Sequence, residues 1–146
     1  MDQEFARIFL ETHPNFFEEE VKNLEPEQRF EEMLLELADY EPEAYTLPLP
    51  ENVAFGMYAG NRDKLLAAVA EVEDGWPEFF GEKARVYCAM VEDEIASFCL
   101  LEEFGCHMYK GRRQKFGGPG CVGTVPKYRR QGIGLALVAQ VTQMLR

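Results

Sequence analysis

The sequence predicts an α+β fold, in which a mostly antiparallel sheet with flanking helices follows an N-terminal helical extension. Its 146 residues suffice for one domain with a hydrophobic core and a small extension. The first 45 residues are rich in Glu, Leu and Phe, whereas strand-like segments begin only after residue 52. Three later segments are joined by connections too short for parallel crossovers, so they predict antiparallel pairing.

Two amphipathic helices are predicted within the first 45 residues. Apolar side chains recur at i, i+3, i+4 spacing in the first helix, and share one face opposite glutamates in the second. Prolines then indicate a stiff, extended connection. We therefore divide the chain into an extension, residues 1–45, and a domain, residues 46–146. The apolar positions are Phe5, Ile8, Phe9, Phe30, Met33, Leu34 and Leu37.

The domain is predicted to contain four strands and two main helices. Alternating apolar residues, turn residues and helical spacing predict the segments in order. The first segments are a strand over Val53–Tyr58, a helix capped by Asn61 or Asp63, a short aromatic segment at Trp76–Phe80, and strands at Arg85–Val91 and Ile95–Leu101. A polar hairpin arm over 105–119 follows, with Lys110, Arg112, Arg113 and Lys115 near its tip. A short strand at Cys121–Val125 and a helix from Gly132 come last.

The bulk composition excludes several classes of protein. A net charge of −11 argues against broad nucleic-acid binding, because phosphates are repelled. No leader-like n-region or apolar run of membrane length is present, which predicts a cytoplasmic protein without membrane contact. The four cysteines lack metal-binding spacing, so we expect reduced thiols and no metal.

The segment 121–134 combines a strand, a proline stop, a basic loop and a helix start. Unpaired N–H groups at a helix N-terminus attract anions, and Arg129 and Arg130 add positive charge there. Gly132 and Gly134 have no Cβ, which allows a pyrophosphate to approach the backbone closely. A basic surface turn without a ligand is the alternative interpretation.

A second glycine pattern is set aside. Gly118, Gly120 and Gly123 satisfy the spacing G-x-G-x-x-G. A dinucleotide fingerprint requires a strand before the glycines and a helix after them, but here a strand follows and Pro119 intervenes. The phosphate loop G-x-x-x-x-G-K-S/T is absent from the sequence.

The pattern R-x-x-G-x-G at Arg129, Gly132 and Gly134, preceded by a strand and a P-x-Y-R turn, resembles motif A of the GNAT N-acetyltransferases. The strand, helix, short helix, hairpin and long strand before it follow the same order, from about residue 52 onward. The resemblance implies that acetyl-CoA is the co-substrate. The implied cofactor-binding residues are Val122, Gly123, Thr124, Arg129, Arg130, Gln131, Gly132, Ile133, Gly134 and Leu135.

The resemblance also implies direct acetyl transfer to a primary amine, of a small molecule or a peptide. The backbone of residues 122–124 would bind the pantetheine arm and polarise the thioester carbonyl, and the N–H groups of residues 130–135 would wrap the pyrophosphate. The general acid and base are not identified by the sequence. Glu102 and Glu103 are candidates that also fit solvated carboxylates, and Trp76, Phe79 and Phe80 fit either an acceptor pocket or a core.

The sequence departs from the family at its C-terminal side. GNAT proteins continue with another strand after the motif A helix, whereas this sequence stops at Arg146. A truncated family member is therefore expected to expose a sheet edge and to form homo-oligomers through it. The alternative function is a catalytically silent acyl-CoA-binding or interaction module.

Overall fold

The computed structural model describes Leu37, Glu41 and residues 48–145. Within them the predicted α+β class is confirmed: four strands form one sheet, with two helices. The predicted helices of residues 1–45 lie outside the described residues. The elements are β1 (Val53–Met57), α1 (Arg62–Ala70), β2 (Val86–Val91), β3 (Glu94–Tyr109), β4 (Arg112–Thr124) and α2 (Ile133–Met144), with 3-10 helices at Trp76–Phe79 and Pro126–Tyr128.

The sheet has the order β1-β2-β3-β4. β1 pairs antiparallel with β2, and β2 pairs antiparallel with β3. In the second pairing Ala89 lies opposite Ser97 and Met90 lies opposite Ile95. Ala96 is therefore an extra residue, and this bulge changes which face of the sheet the following β3 side chains occupy.

The hairpin between β3 and β4 turns on Lys110 and Gly111, whose φ angles are 49° and 73°. Left-handed conformations at both central residues are typical of the type I′ turn, whose twist matches that of paired strands. The predicted arm over 105–119 is therefore made of the ends of these two strands. β3 and β4 are both longer than predicted, because their polar and glycine-rich ends carry no alternating apolar pattern.

Each face of the sheet supports its own hydrophobic core. On one face α1 and the aromatic segment pack with Phe98 at the centre, and on the other face α2 packs through Ile133, Leu137 and Val141. The first core comprises Leu65, Ala68, Val69, Phe80, Val86, Cys88, Ile95, Phe98, Leu100 and Val125, and the second comprises Ala89, Ala96, Cys99, Ile133, Leu137 and Val141.

Asn61 is the N-cap of α1, one of the two caps that the sequence predicts. Its side-chain oxygen accepts a hydrogen bond from the Lys64 N–H at 3.1 Å. The Arg62 guanidinium donates to the carbonyl oxygens of Phe80 and Gly81. These bonds hold the start of α1 against the loop that leads into β2.

The chain divides into two compact units. One holds both hydrophobic cores and includes the described residues up to Phe104 together with those from Gly117 onward, and the other includes Gly105–Phe116. The described part of the second unit is the hairpin tip. No helix within the described residues is long and apolar enough to cross a membrane.

Gly123 in β4 lies directly against the ring of Phe98. A Cβ at Gly123 would stand 2.4 Å from the ring atom Cζ, far inside van der Waals contact. Phe98 is fully buried, and the rings of Phe80 and Trp76 pack edge-on against it at 5.6 and 6.3 Å. The ring has no space to move away, so this position requires glycine.

We predict that Gly123→Ala lowers the free energy of unfolding by about 1–3 kcal/mol, because the added methyl overpacks the core. Urea denaturation measures the change. Gly56→Ala in β1 is the matched control, since no atom lies within 4 Å of its added Cβ. Equal losses in the two variants would contradict a packing role for Gly123.

Candidate functional site

The connection from β4 to α2 is built from a fixed series of backbone turns. Val125 is buried, and its N–H donates to the Ala96 carbonyl at 3.0 Å. Pro126 then begins a 3-10 turn, which Arg129 ends in extended conformation. Arg130 and Gly132 follow with φ angles of 64° and 78°. Left-handed residues on either side of Gln131 bring the chain round into the first turn of α2.

The N–H groups of residues 130–135 form a continuous row of donors. Helix α2 makes its first internal bond only at Ala136, whose N–H donates to the Gly132 carbonyl at 3.0 Å. Within the described part of the chain, none of these six N–H groups has a hydrogen-bond acceptor. The N-cap is a glycine without a capping side chain, and the first turn contains no acidic residue. The row therefore combines unpaired donors with the positive end of the helix dipole.

Two hydroxyl groups, those of Ser97 in β3 and Thr124 at the end of β4, lie against the start of α2. Ser97 is fully buried, and its hydroxyl donates to the Gly123 carbonyl at 2.7 Å. Its only proton is used there, so the 3.0 Å contact with Thr124 is a bond donated by the Thr124 hydroxyl. A Cβ at Gly134 would lie 2.7 Å from Thr124 Oγ1. Glycine at position 134 therefore allows α2 to pack closely on β4. The sequence had suggested a different role for this glycine, the close approach of a ligand to the backbone.

The two motif arginines have different environments. Arg129 Nε donates to the Thr124 carbonyl at 3.0 Å, which ties this guanidinium to the end of β4. Arg130 is exposed and makes no hydrogen bond or ion pair with any described residue. Arg130 is therefore a cation beside the N–H row that no described residue pairs. The carbonyls of Gly123 and Thr124 each already accept one bond.

Cys121 in β4 has an unusual backbone conformation immediately before Val122, Gly123 and Thr124. Its φ angle is 42°, a left-handed conformation that a non-glycine residue adopts at a cost of about 1–2 kcal/mol. Strain of this kind is concentrated at binding and catalytic sites in proteins. The strained residue directly precedes the strand segment that the sequence assigns to the pantetheine arm.

Glu94 at the start of β3 anchors the basic loop. Its Oε2 accepts hydrogen bonds from the Lys127 ammonium and from the Tyr128 hydroxyl. The Lys127 ammonium also lies 4.9 Å from the centroid of the Tyr128 ring. These contacts connect the β2–β3 turn to residues 33 and 34 positions later. Hydrogen bonds from Lys127 and then Tyr128 lower the pKa of Glu94.

The candidate general bases are exposed carboxylates. Glu103 forms an ion pair with Arg85, whose Nη1 lies 2.7 Å from Glu103 Oε1. Glu102 lies across Gly120, where a Cβ would approach Oε2 to 2.5 Å. Glu102 and Glu103 also border an open groove of about 410 Å³, together with Phe79 and Lys83.

The aromatic segment is divided between the core and the surface. Phe80 is fully buried and Trp76 is half-buried, and both contact Phe98 edge-on. Phe79 is 55% exposed and faces the groove. The core interpretation therefore holds for Trp76 and Phe80, whereas Phe79 is on the surface and lines the groove.

Three cysteine thiols are held in their protonated form. Burial raises the pKa of Cys88 and of Cys99 to about 12, and burial also raises the pKa of Cys121. A thiol is nucleophilic as its thiolate. Cys121 is therefore not an activated nucleophile, despite its position beside the candidate site. Among the described residues there is no cluster of three or more potential metal ligands.

Neither protein-family models nor curated proteins nor solved structures gave a match to this chain. The candidate site is therefore defined by its own geometry. Sequence reasoning identified the loop but missed Glu94 and Ser97, which support it from β3. The local sequence signal for Ser97 is a hydroxyl residue among apolar strand residues. Glu94 has no such signal, because it is one of three consecutive acidic residues in the turn.

We predict that Glu94→Gln destabilises the protein at neutral pH by weakening the bonds to Lys127 and Tyr128. Because the pKa of Glu94 is lowered in the folded protein, its contribution to the free energy of unfolding is fully present above the unfolded-state pKa. That contribution is lost as the pH falls through the folded-state pKa. The difference from the parent protein should therefore be constant above about pH 6 and disappear below the ordinary glutamate pKa of about 4.3.

Chemical denaturation at a series of pH values measures this difference. Asp93→Asn is the control, because it removes one negative charge from the same turn without touching the loop. A pH dependence shared by both variants would reflect net charge and would contradict the anchoring role of Glu94.

We also predict that iodoacetamide near pH 8 modifies Cys106 first, because Cys106 is exposed while Cys88 and Cys99 are buried. Mass spectrometry of digested, alkylated protein gives the order. Cys88 and Cys99 should react only after denaturant is added. If Cys88 or Cys99 were modified in native protein as fast as Cys106, the core that contains that cysteine would be accessible to the reagent.

Proposed function

We propose that this protein binds acetyl-CoA at the β4–α2 connection and acts as an N-acetyltransferase of the GNAT type. The row of unpaired N–H groups at residues 130–135 carries the proposal. The N–H groups of residues 132–135 are the unpaired donors that every helix start has, and those of Arg130 and Gln131 extend the set. Six consecutive donors beside an exposed arginine are suited to a pyrophosphate. The element order before this loop also agrees with the order that the family resemblance implies.

The donor groups fit the chemistry of the cofactor. Coenzyme A carries a pyrophosphate, which needs several N–H donors and positive charge, and a pantetheine arm, which forms amide hydrogen bonds. Arg130 through Leu135 supply the donors, and the backbone of Val122, Gly123 and Thr124 lies at the strand end beside them. Acetyl-CoA would provide an activated acetyl group for attack by an amine.

The residues of this chain would then bind and orient the reactants. Residues 129–135 would hold the phosphates, and the strained backbone after Cys121 would present N–H groups to a developing oxyanion. The groove beside Phe79 would take the acceptor amine, whose cationic form suits Glu102 at its border. Transfer would require loss of a proton from that ammonium before attack.

A silent acyl-CoA-binding module is the second candidate, and a specific observation favours it. Among the described residues, Glu103 is paired with Arg85 and Glu102 is exposed, so neither carboxylate is buried as an activated base commonly is. Burial raises the pKa of the Cys88 and Cys99 thiols and keeps them protonated. Binding without turnover would identify this second function.

Calorimetric titration with acetyl-CoA tests the binding half of the proposal. We expect saturable binding by the parent chain, and a loss of about tenfold or more in affinity for Arg130→Glu, because a negative charge would face the phosphates. Lys83→Glu, before β2, is the matched control, with the same charge change away from residues 122–135. Absence of binding by the parent chain, or equal losses in both variants, would refute the proposed site.

Turnover tests the catalytic half. The protein is incubated with acetyl-CoA and a panel of amines, polyamines and lysine peptides, and free coenzyme A is measured by chromatography. A chromatographic readout is preferable to a thiol reagent, because Cys106 is exposed and would react with the reagent. Amine-dependent release of coenzyme A supports the transferase, and binding without release supports the silent module.

A further inference from the structure

The charge of this protein is divided sharply along the chain. Residues 1–45 contain 14 acidic and 3 basic residues, whereas residues 46–146 contain 12 of each. The whole net charge of −11 therefore belongs to the N-terminal segment. The remainder of the chain is neutral in sum, so any strongly cationic surface on it has a complementary anionic segment in the same molecule.

The hairpin tip is such a cationic surface. Residues 105–116 contain four basic residues and no acidic residue. Lys110, Arg112, Arg113 and Lys115 are all exposed, and the type I′ turn at Lys110 and Gly111 holds the two strand ends that carry them close together. Four like charges within six positions repel one another, so this tip favours an anionic partner.

We propose that the acidic segment of residues 1–45 is the partner of the cationic hairpin tip, and that this contact is electrostatic. Charge complementarity supports the pairing, because residues 1–45 carry the whole net negative charge and the tip carries four cations without an acidic residue. This inference is independent of the proposed acyl transfer.

The pairing has a measurable physical property. Exposed opposite charges attract over about 10 Å at 0.1 M salt and over about 3 Å at 1 M salt. A contact made by several exposed cations should therefore weaken with salt, unlike the apolar packing of α1 and α2 on the sheet. The segment would also compete with external polyanions for the tip.

Zero-length carbodiimide cross-linking of the full-length protein at low salt tests the proposal. The reagent joins a lysine amine to a carboxylate in direct contact, and digestion with mass spectrometry locates the products. Lys110 and Lys115 should join carboxylates within residues 1–45, at yields that fall with added salt. The Lys127–Glu94 ion pair is the internal standard for the reaction.

Variants that change the tip give the matched comparison. Arg112→Glu combined with Arg113→Glu should reduce the Lys110 and Lys115 products severalfold. Lys83→Glu combined with Arg130→Glu produces the same change in net charge away from the tip and should leave those products unchanged. The map of the parent protein decides the question even if a variant fails to fold.

The outcomes that overturn the proposal are distinct. Formation of the Lys127–Glu94 product without any product from Lys110 or Lys115 to residues 1–45 would exclude the contact. Products that join only different chains, in a mixture of isotopically labelled and unlabelled protein, would show association between molecules instead. Products that persist unchanged at high salt would exclude an electrostatic contact.

Discussion

The close approach of α2 to the end of β4 is the constraint on which the candidate site depends. Gly134 allows the helix to contact the Thr124 hydroxyl, and Ser97 satisfies the Gly123 carbonyl beneath it. A larger residue at position 134 would push the first turn of α2 from the strand. The N–H row and the strand end would then no longer lie side by side, so the absence of a side chain at this position fixes their spacing.

The same residues serve packing and candidate chemistry together. Gly123 makes space for the Phe98 ring, while its carbonyl fixes Ser97. Arg129 closes the loop by binding the Thr124 carbonyl, which leaves Arg130 exposed beside the helix start. The loop geometry is therefore held by contacts within the protein. A ligand would meet donors that are already in position, which lowers the entropy lost on binding.

Local patterns in the sequence predicted much of the fold, and long-range contacts account for what they missed. The Asn61 cap and the helix after Gly132 follow from residues a few positions apart, and both are confirmed. The full lengths of β3 and β4 were underestimated, because pairing across the hairpin stabilises residues without apolar alternation. Glu94 contacts the loop across 33 positions, a separation that a single sequence does not encode in any local pattern.

The anchoring of the loop by Glu94 limits how the β2–β3 turn can vary in length. Surface turns usually accept inserted residues with little effect on the rest of a protein. Here only Glu92 and Asp93 separate β2 from the residue that binds Lys127 and Tyr128. An insertion after Asp93 that displaced Glu94 from the start of β3 would release the loop on the neighbouring strand. Homologous chains that keep the anchored loop should therefore keep this turn at the same length.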